Sequence, residues 1–303
     1  MDRDIIRPAA VAAVNGILVG AAIVATRFVI DQSSPASLAL MRYGIGVCCL
    51  LPPLLWAPRA RFARRDLAPI GLLGVMQFGV VVCLINFALQ HIPSARAALL
   101  FATFPLMTMG FSSALGRERV TLTKTLGVLL SIAGVGMALG EKALVPTGPG
   151  GGWAGELAVL ASAASGAACS VLYRPYLKKY PTLPLSALAM LAAVFFLVWL
   201  AAGEGFFDQA PRISPGGWLA VAFIGVASGA GYYLWLWALN HTTPTNVAAF
   251  LALSPVTAAG LGAAFLSEEL SWTLLAALAC VGAGLWIALW QTPRRAKDKG
   301  RAC

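Results

Sequence analysis

Polar and aromatic side chains recur at helical spacing inside the apolar runs of this chain. Gly79, Cys83, Asn86, Phe87 and Gln90 fall on one helical face. So, 150 residues later, do Gly229, Tyr233, Leu236, Trp237 and Asn240. Amides and hydroxyls in such places can hydrogen-bond a small solute, and rings can cover its apolar body or attract a cation. Cys83, Asn86, Phe87, Tyr233 and Trp237 are therefore candidate cargo contacts. The same groups also suit interhelical packing and hydrogen bonding, and Trp237 suits an interfacial aromatic belt.

Further candidates lie on neighbouring runs: Phe101 and Phe104, Ser254 beside Pro255, Asn15, and Ser165 on a face shared with Ser162, Cys169 and Tyr173. Arg42, several residues into an apolar run, has three readings: snorkelling to an interface, a structural ion pair, or the anchor of a substrate carboxylate. Pro105 and Pro255 each remove a backbone donor within a run and leave a carbonyl to be repaired by neighbours. They are candidate hinges, matched in position, or plain structural kinks. His91 and His241 end equivalent runs and read as surface residues.

The absences are as informative. Asp and Glu occur only at the ends of apolar runs, Glu156 being the deepest. A proton relay through a midplane carboxylate is not expected. Intramembrane proteolysis needs an Asp pair or a Ser/His dyad in the bilayer, and the run interiors hold neither Asp nor His, so no enzyme is implied. The cysteines Cys48, Cys49, Cys83, Cys169, Cys280 and Cys303 lack metal-ligand spacing and read as small hydrophobes. No metal or cofactor is implied.

The elements that must carry these residues follow from composition. The 303 residues are 59% hydrophobic and 11% charged, against roughly 25% charged in a soluble domain. Lipid is the solvent that suits such a chain. A spanning helix needs about 20 apolar residues, and ten runs qualify: 7–30, 36–57, 67–89, 94–115, 122–140, 153–176, 183–203, 216–239, 244–266 and 271–291. A β-barrel is excluded, because the runs do not alternate apolar with polar. The segment 8–30 is too long for a typical signal h-region and reads as an uncleaved first helix.

The net charge of +10 sits in short clusters between runs. It orients helices and faces anionic lipid; no nucleic-acid partner is expected. With the N-terminus inside, seventeen Lys and Arg fall in inside segments, among them Arg59, Arg61, Arg117, Lys178 and Arg294. Three fall outside: Arg96, Lys142 and Arg212. Both termini are thus expected in the cytoplasm.

An internal repeat is the strongest feature. FALQHIPSARAALLFATFPLMTMGFSSALGRE (87–118) aligns without a gap on WALNHTTPTNVAAFLALSPVTAAGLGAAFLSE (237–268). The matches include His91/His241, Ala98/Ala248, Pro105/Pro255, Gly110/Gly260 and Glu118/Glu268. A unit of five helices is odd, so its second copy enters from the opposite side. The expected fold is an all-α membrane protein of ten helices in two inverted five-helix repeats, 1–145 and 146–292, with a basic cytoplasmic tail over 293–303.

With Ala98, Pro105 and Glu118 recurring as Ala248, Pro255 and Glu268, and the pair Arg42–Tyr43 in the second helix, the chain resembles the drug/metabolite transporter superfamily, and within it the EamA-type carriers. The likeness covers nearly the whole chain and is nearest to the aromatic-amino-acid exporters of that group. The seventh helix departs from it in lacking an Arg–aromatic pair. The resemblance implies a secondary transporter of the inner membrane that exports amino acids or related small metabolites by alternating access. Another cargo on the same scaffold, or a channel-like facilitator, is the alternative. The implied partners are a small-molecule substrate and membrane lipid; the residues leave monomer and homodimer both open.

Overall fold

The computed structural model describes residues 3–57, 60–116, 152–208, 212–241 and 253–289, with Val247, Phe250 and isolated positions between 122 and 137. The expected fifth span (122–140), apart from those positions, lies outside the described residues. So do the basic loop at Arg117 and Arg119, the boundary between 145 and 146, and the tail 293–303.

The described residues form helices and no strands. They are α1 (Arg3–Val29), α2 (Pro35–Trp56), α3 (Arg64–Gly74), α4 (Val81–Leu89), α5 (Ser94–Phe101), α6 (Phe104–Ala114), α7 (Ala154–Lys179), α8 (Thr182–Gly203), α9 (Pro215–His241), α10 (Leu253–Leu266) and α11 (Trp272–Leu289). A π-helical turn, Val75–Val80, joins α3 to α4 in one span, Arg64–Leu89. Among the described residues seven helices are long and apolar enough to cross a membrane, and Leu253–Leu266 and Trp272–Gly284 are shorter apolar helices. Proline opens several of them: Pro35 and Pro215 stand first in α2 and α9, and Pro93 and Pro181 precede α5 and α8. There the missing N–H is no loss, because the first turn has no partner for it.

Large apolar side chains stand on the outside: Leu55, Trp56, Phe195, Trp199, Leu219, Phe265 and Trp272 are each at least 72% exposed. A soluble monomer does not carry such a surface, and lipid covers it.

The packing comes in matched sets. Helix α1 lies against α9 and α10, while α7 lies against α4 and α6. Helix α2 lies against α9, while α3 lies against α8. One pair, α2 with α8, is its own counterpart. Small residues permit the closest crossings. A Cβ on Gly229 would stand 2.7 Å from the Gly46 carbonyl oxygen, and one on Gly79 would stand 2.7 Å from the Phe196 ring. Gly79 and Gly229 are 150 residues apart, as are Gly46 and Phe196.

Carboxylates tie segments distant in the chain at helix ends. Glu204, just past α8, accepts from the N–H groups of Ala36 (3.0 Å) and Ser37 (2.8 Å) and from the Ser37 hydroxyl (3.0 Å). Glu268, past α10, accepts from Ser94 N–H (2.9 Å), Ser94 Oγ (2.6 Å) and Ala95 N–H (3.3 Å). Each satisfies orphan donors of a helix start and sets negative charge against the positive end of its dipole. Ser267, at φ 53° in the left-handed region, turns the chain so that Glu268 faces α5.

Candidate functional site

A cavity of about 140 Å³ opens where α1, α2, the π turn with α4, α5–α6 and α9 meet. Helix α1 contributes Asn15, Leu18, Val19, Ala22 and Ile23; α2 contributes Arg42 and Tyr43. The third span contributes Gln77, Phe78, Val81, Val82 and Ile85. Helix α9 contributes Ala227, Ser228, Gly231, Tyr232 and Trp235. Those two sets match position for position at an offset of 150. Phe101 and Phe104 complete the wall.

The π turn explains part of this geometry. An i→i+5 turn adds one residue to the helical path and re-aims the residues beyond it. Gln77 and Phe78 lie within it and both line the cavity. The wall is largely aromatic. Phe78 meets Tyr43 edge-on at 4.9 Å between centroids and Tyr232 at 4.2 Å. Phe104 contacts Phe101 at 5.5 Å and Trp235 at 5.7 Å. The rings of Tyr232 and Tyr173 are 6.4 Å apart, and neither buried hydroxyl makes a hydrogen bond of normal geometry.

Among the described residues Arg42 is the one charged residue of the lining. Its Nε donates to Ser228 Oγ, and that hydroxyl donates onward to the Ile224 carbonyl. The guanidinium carbon lies 5.5 Å from the centroid of Tyr43. Among the described residues Arg42 meets no carboxylate; the ion pairs there are Arg27–Asp31, Arg65–Asp66, Arg96–Glu156 and Lys179–Asp66. Of the three readings of Arg42, the ion pair is the one this geometry does not supply. No cluster of His, Cys, Asp or Glu suited to a metal occurs among the described residues.

The cavity brings together Asn15, Arg42, Phe101 and Phe104 of the expected contacts. The others stand elsewhere. Asn86 is fully buried, but its Nδ2 donates to the Pro35 carbonyl at 2.8 Å, tying α4 to the start of α2. Phe87 is 37% exposed and rests on His91, at 4.5 Å between centroids. Trp237 stacks on His241 at 4.0 Å. Cys83 and Tyr233 are half-buried against the core, outside the cavity lining. Ser165 is half-buried on α7, which gives no residue to the lining. Ser254 is buried under α1, its backbone oxygen 2.5 Å from a Cβ placed on Gly20. The third span and α9 do line the cavity, but with a different face of each from the one expected. Sequence reasoning missed Gln77, Phe78, Ser228, Tyr232 and Trp235. Tyr232 and Trp235, spaced i and i+3 on an apolar helix, carried a usable signal.

Pro105 sits at the break between α5 and α6. Ala102 N–H turns back to Ala98 and Leu99 oxygens, each at 3.1 Å, and the Thr103 hydroxyl donates to Leu100 O at 2.8 Å. The carbonyls of Ala98, Leu99 and Leu100, just before the break, thus find partners. Pro255 lies in the first turn of α10.

Apolar helices with lipid-facing exteriors around a mixed polar and aromatic cavity define a multi-pass membrane protein with an internal cavity. The chain belongs to the EamA-like transporter family, whose model matches residues 7–140 and again 153–290. It is 24% identical to an uncharacterized transporter of Archaeoglobus fulgidus, over 89% of this chain and 94% of that one. It is 24% identical to the uncharacterized transporter YcxC of Bacillus subtilis, over 92% and 91%. It is 28% identical to a probable terminal-alkyne amino-acid exporter of Streptantibioticus cattleyicolor, over 87% and 85%. A solved structure titled only as the crystal structure of a protein superposes with a TM-score of 0.71 at 22% identity, covering 93% of this chain and 96% of that one. That likeness concerns the fold. The family and these relatives are transporters, not enzymes.

Proposed function

We propose that this protein is a secondary transporter that exports amino acids, aromatic or other neutral ones among them, and related small metabolites across the inner membrane by alternating access. The observation that carries the reading is the cavity wall. Gln77, Phe78, Val81, Val82 and Ile85 line it together with Ala227, Ser228, Gly231, Tyr232 and Trp235, and each matched pair is one repeat length apart. A chamber lined by equivalent positions of two halves is what an axis in the membrane plane through the binding site would generate. The matched packing pairs support the same arrangement of ten helices in two inverted halves (1–145 and 146–292), and the Lys and Arg bias supports both termini cytoplasmic. Arg42, Asn15, Gln77, Tyr232, Trp235, Phe101 and Phe104 are the cargo contacts in this reading. Pro105 and Pro255 are its matched hinges. The clamps of Glu204 on α2 and of Glu268 on α5 hold the halves together at the outer face in one state and release in the other.

Amino acids lead the cargo list for two reasons. The lining pairs a cation with aromatic surface, and the Streptantibioticus relative is named for amino-acid export. Sugar phosphates or nucleotides would call for several cavity cations. Counterflow in proteoliposomes tests the proposal: unlabelled amino acids inside, labelled amino acid outside. Saturable, stereoselective accumulation is expected. Unsaturable flux would make the protein a channel-like facilitator, and no amino-acid flux across a broad panel would remove this cargo class.

A further inference from the structure

If the cavity is the cargo site, as the proposed function holds, its charge narrows the cargo further than the fold does. Among the described residues the lining holds a single formal charge, the Arg42 guanidinium, and no carboxylate. The Nε of that group is engaged by Ser228. A guanidinium presents five donors in a planar fork, so the remaining edge suits a two-oxygen acceptor. Tyr232, only 6% exposed, borders the same space and adds aromatic surface beside it. The free edge of the guanidinium answers a carboxylate.

Nothing answers an ammonium equally well. An R–NH₃⁺ group carries three donors and a full charge. The lining offers it the amide oxygens of Asn15 and Gln77 and aromatic faces, with no anion. Net charge decides between these. Taking charge out of water is costly unless it is compensated inside. With an organic monoanion bound, cavity and cargo together are neutral. With a zwitterion the guanidinium charge remains uncompensated overall, and with a cationic amine two like charges share the space.

We infer that the cavity is selective for organic monoanions: a carboxylate on an aromatic or branched apolar body without a free ammonium, as in deaminated or N-acylated amino acids. Free amino acids are the weaker cargo. The volume of about 140 Å³ is close to that of an apolar cavity that takes one benzene ring, about 150 Å³, so the apolar body is limited to a single ring.

Three probes of one shape separate the charges: 3-phenylpropanoate, L-phenylalanine and 2-phenylethylamine, each competing at pH 7.5 against labelled 3-phenylpropanoate and labelled phenylalanine in counterflow, with protein-free liposomes as the permeation control. Phenylpropanoate is expected to compete roughly tenfold better than phenylalanine, as an uncompensated buried charge predicts, and phenylethylamine not to compete. Arg42→Gln should flatten the ranking, while Arg42→Lys keeps its order. The wild-type ranking stands as a test even where a variant fails to fold. Phenylalanine equal to or better than phenylpropanoate would overturn the inference and leave amino-acid export intact. Phenylpropanoate carried with no phenylalanine flux would uphold the inference and narrow the amino-acid reading. A ranking unchanged in a folded Arg42→Gln protein would overturn the inference, because another group would then set it.

Discussion

Two tryptophans on one helix separate cavity from periphery. Trp235 is buried, lines the cavity and packs edge-on against Phe104. Trp237, two residues on, has its indole stacked on His241 near the helix end. Two residues turn an α-helix by about 200°, so the two rings cannot share a face. Trp235→Phe keeps an aromatic body but changes the cavity wall. Its counterflow KM should rise about three- to tenfold, the worth of one aromatic contact. Trp237→Ala should leave KM unchanged. Equal effects of the two would put the cargo elsewhere. Asn86 teaches the same lesson about polar side chains. A buried amide on an apolar helix draws the eye as a ligand, but its Nδ2 donates to the Pro35 carbonyl and ties two helices together. Sequence marks that such a group needs a partner and does not say which partner it takes.

At the scale of helices, most boundaries were readable because lipid forces backbone hydrogen bonds inside each run and because charge and proline end the runs. The faces were less readable. These helices are covered on several sides, so no polar stripe marks the cavity, and the π turn at Val75–Val80 alters the register within the third span. No residue type in VMQFGV announces that turn. The 150-residue offset, by contrast, was readable and reaches down to single contacts. Gly79 and Gly229 occupy equivalent positions, but a Cβ on Gly229 meets backbone, the Gly46 carbonyl, whereas a Cβ on Gly79 meets the Phe196 ring. A ring can swing aside and a helix backbone cannot. Gly229→Ala should therefore destabilise by about 1–3 kcal/mol, the usual range for overpacking, and Gly79→Ala by less. Thermal unfolding in detergent measures the difference. A Gly79→Ala midpoint as low as that of Gly229→Ala would mean that Phe196 is as fixed as the α2 backbone.

For the molecule as a whole, the open question is which way it faces. The carboxylate clamps relate one end of the bundle internally: Glu204 and Glu268 both close over helix starts of the first half. Contacts inside the protein fix that end relative to the rest, not relative to the cytoplasm. Orientation comes from charge, because Lys and Arg next to a span stay on the cytoplasmic side. The tail supplies the most concentrated run, Arg294, Arg295, Lys297, Lys299 and Arg301, and ends in Cys303. That terminal thiol is a built-in reporter. In a variant with the other cysteines replaced by alanine, a membrane-impermeant maleimide should label Cys303 in inside-out vesicles and spare it in right-side-out ones until detergent is added. Shielding in both until solubilisation would mean that the tail is covered rather than exposed to the cytoplasm. Labelling in right-side-out vesicles alone would put the C-terminus outside, reverse the assignment of the clamps to the outer face, and mean that the basic residues are held by something other than the rule that places them within.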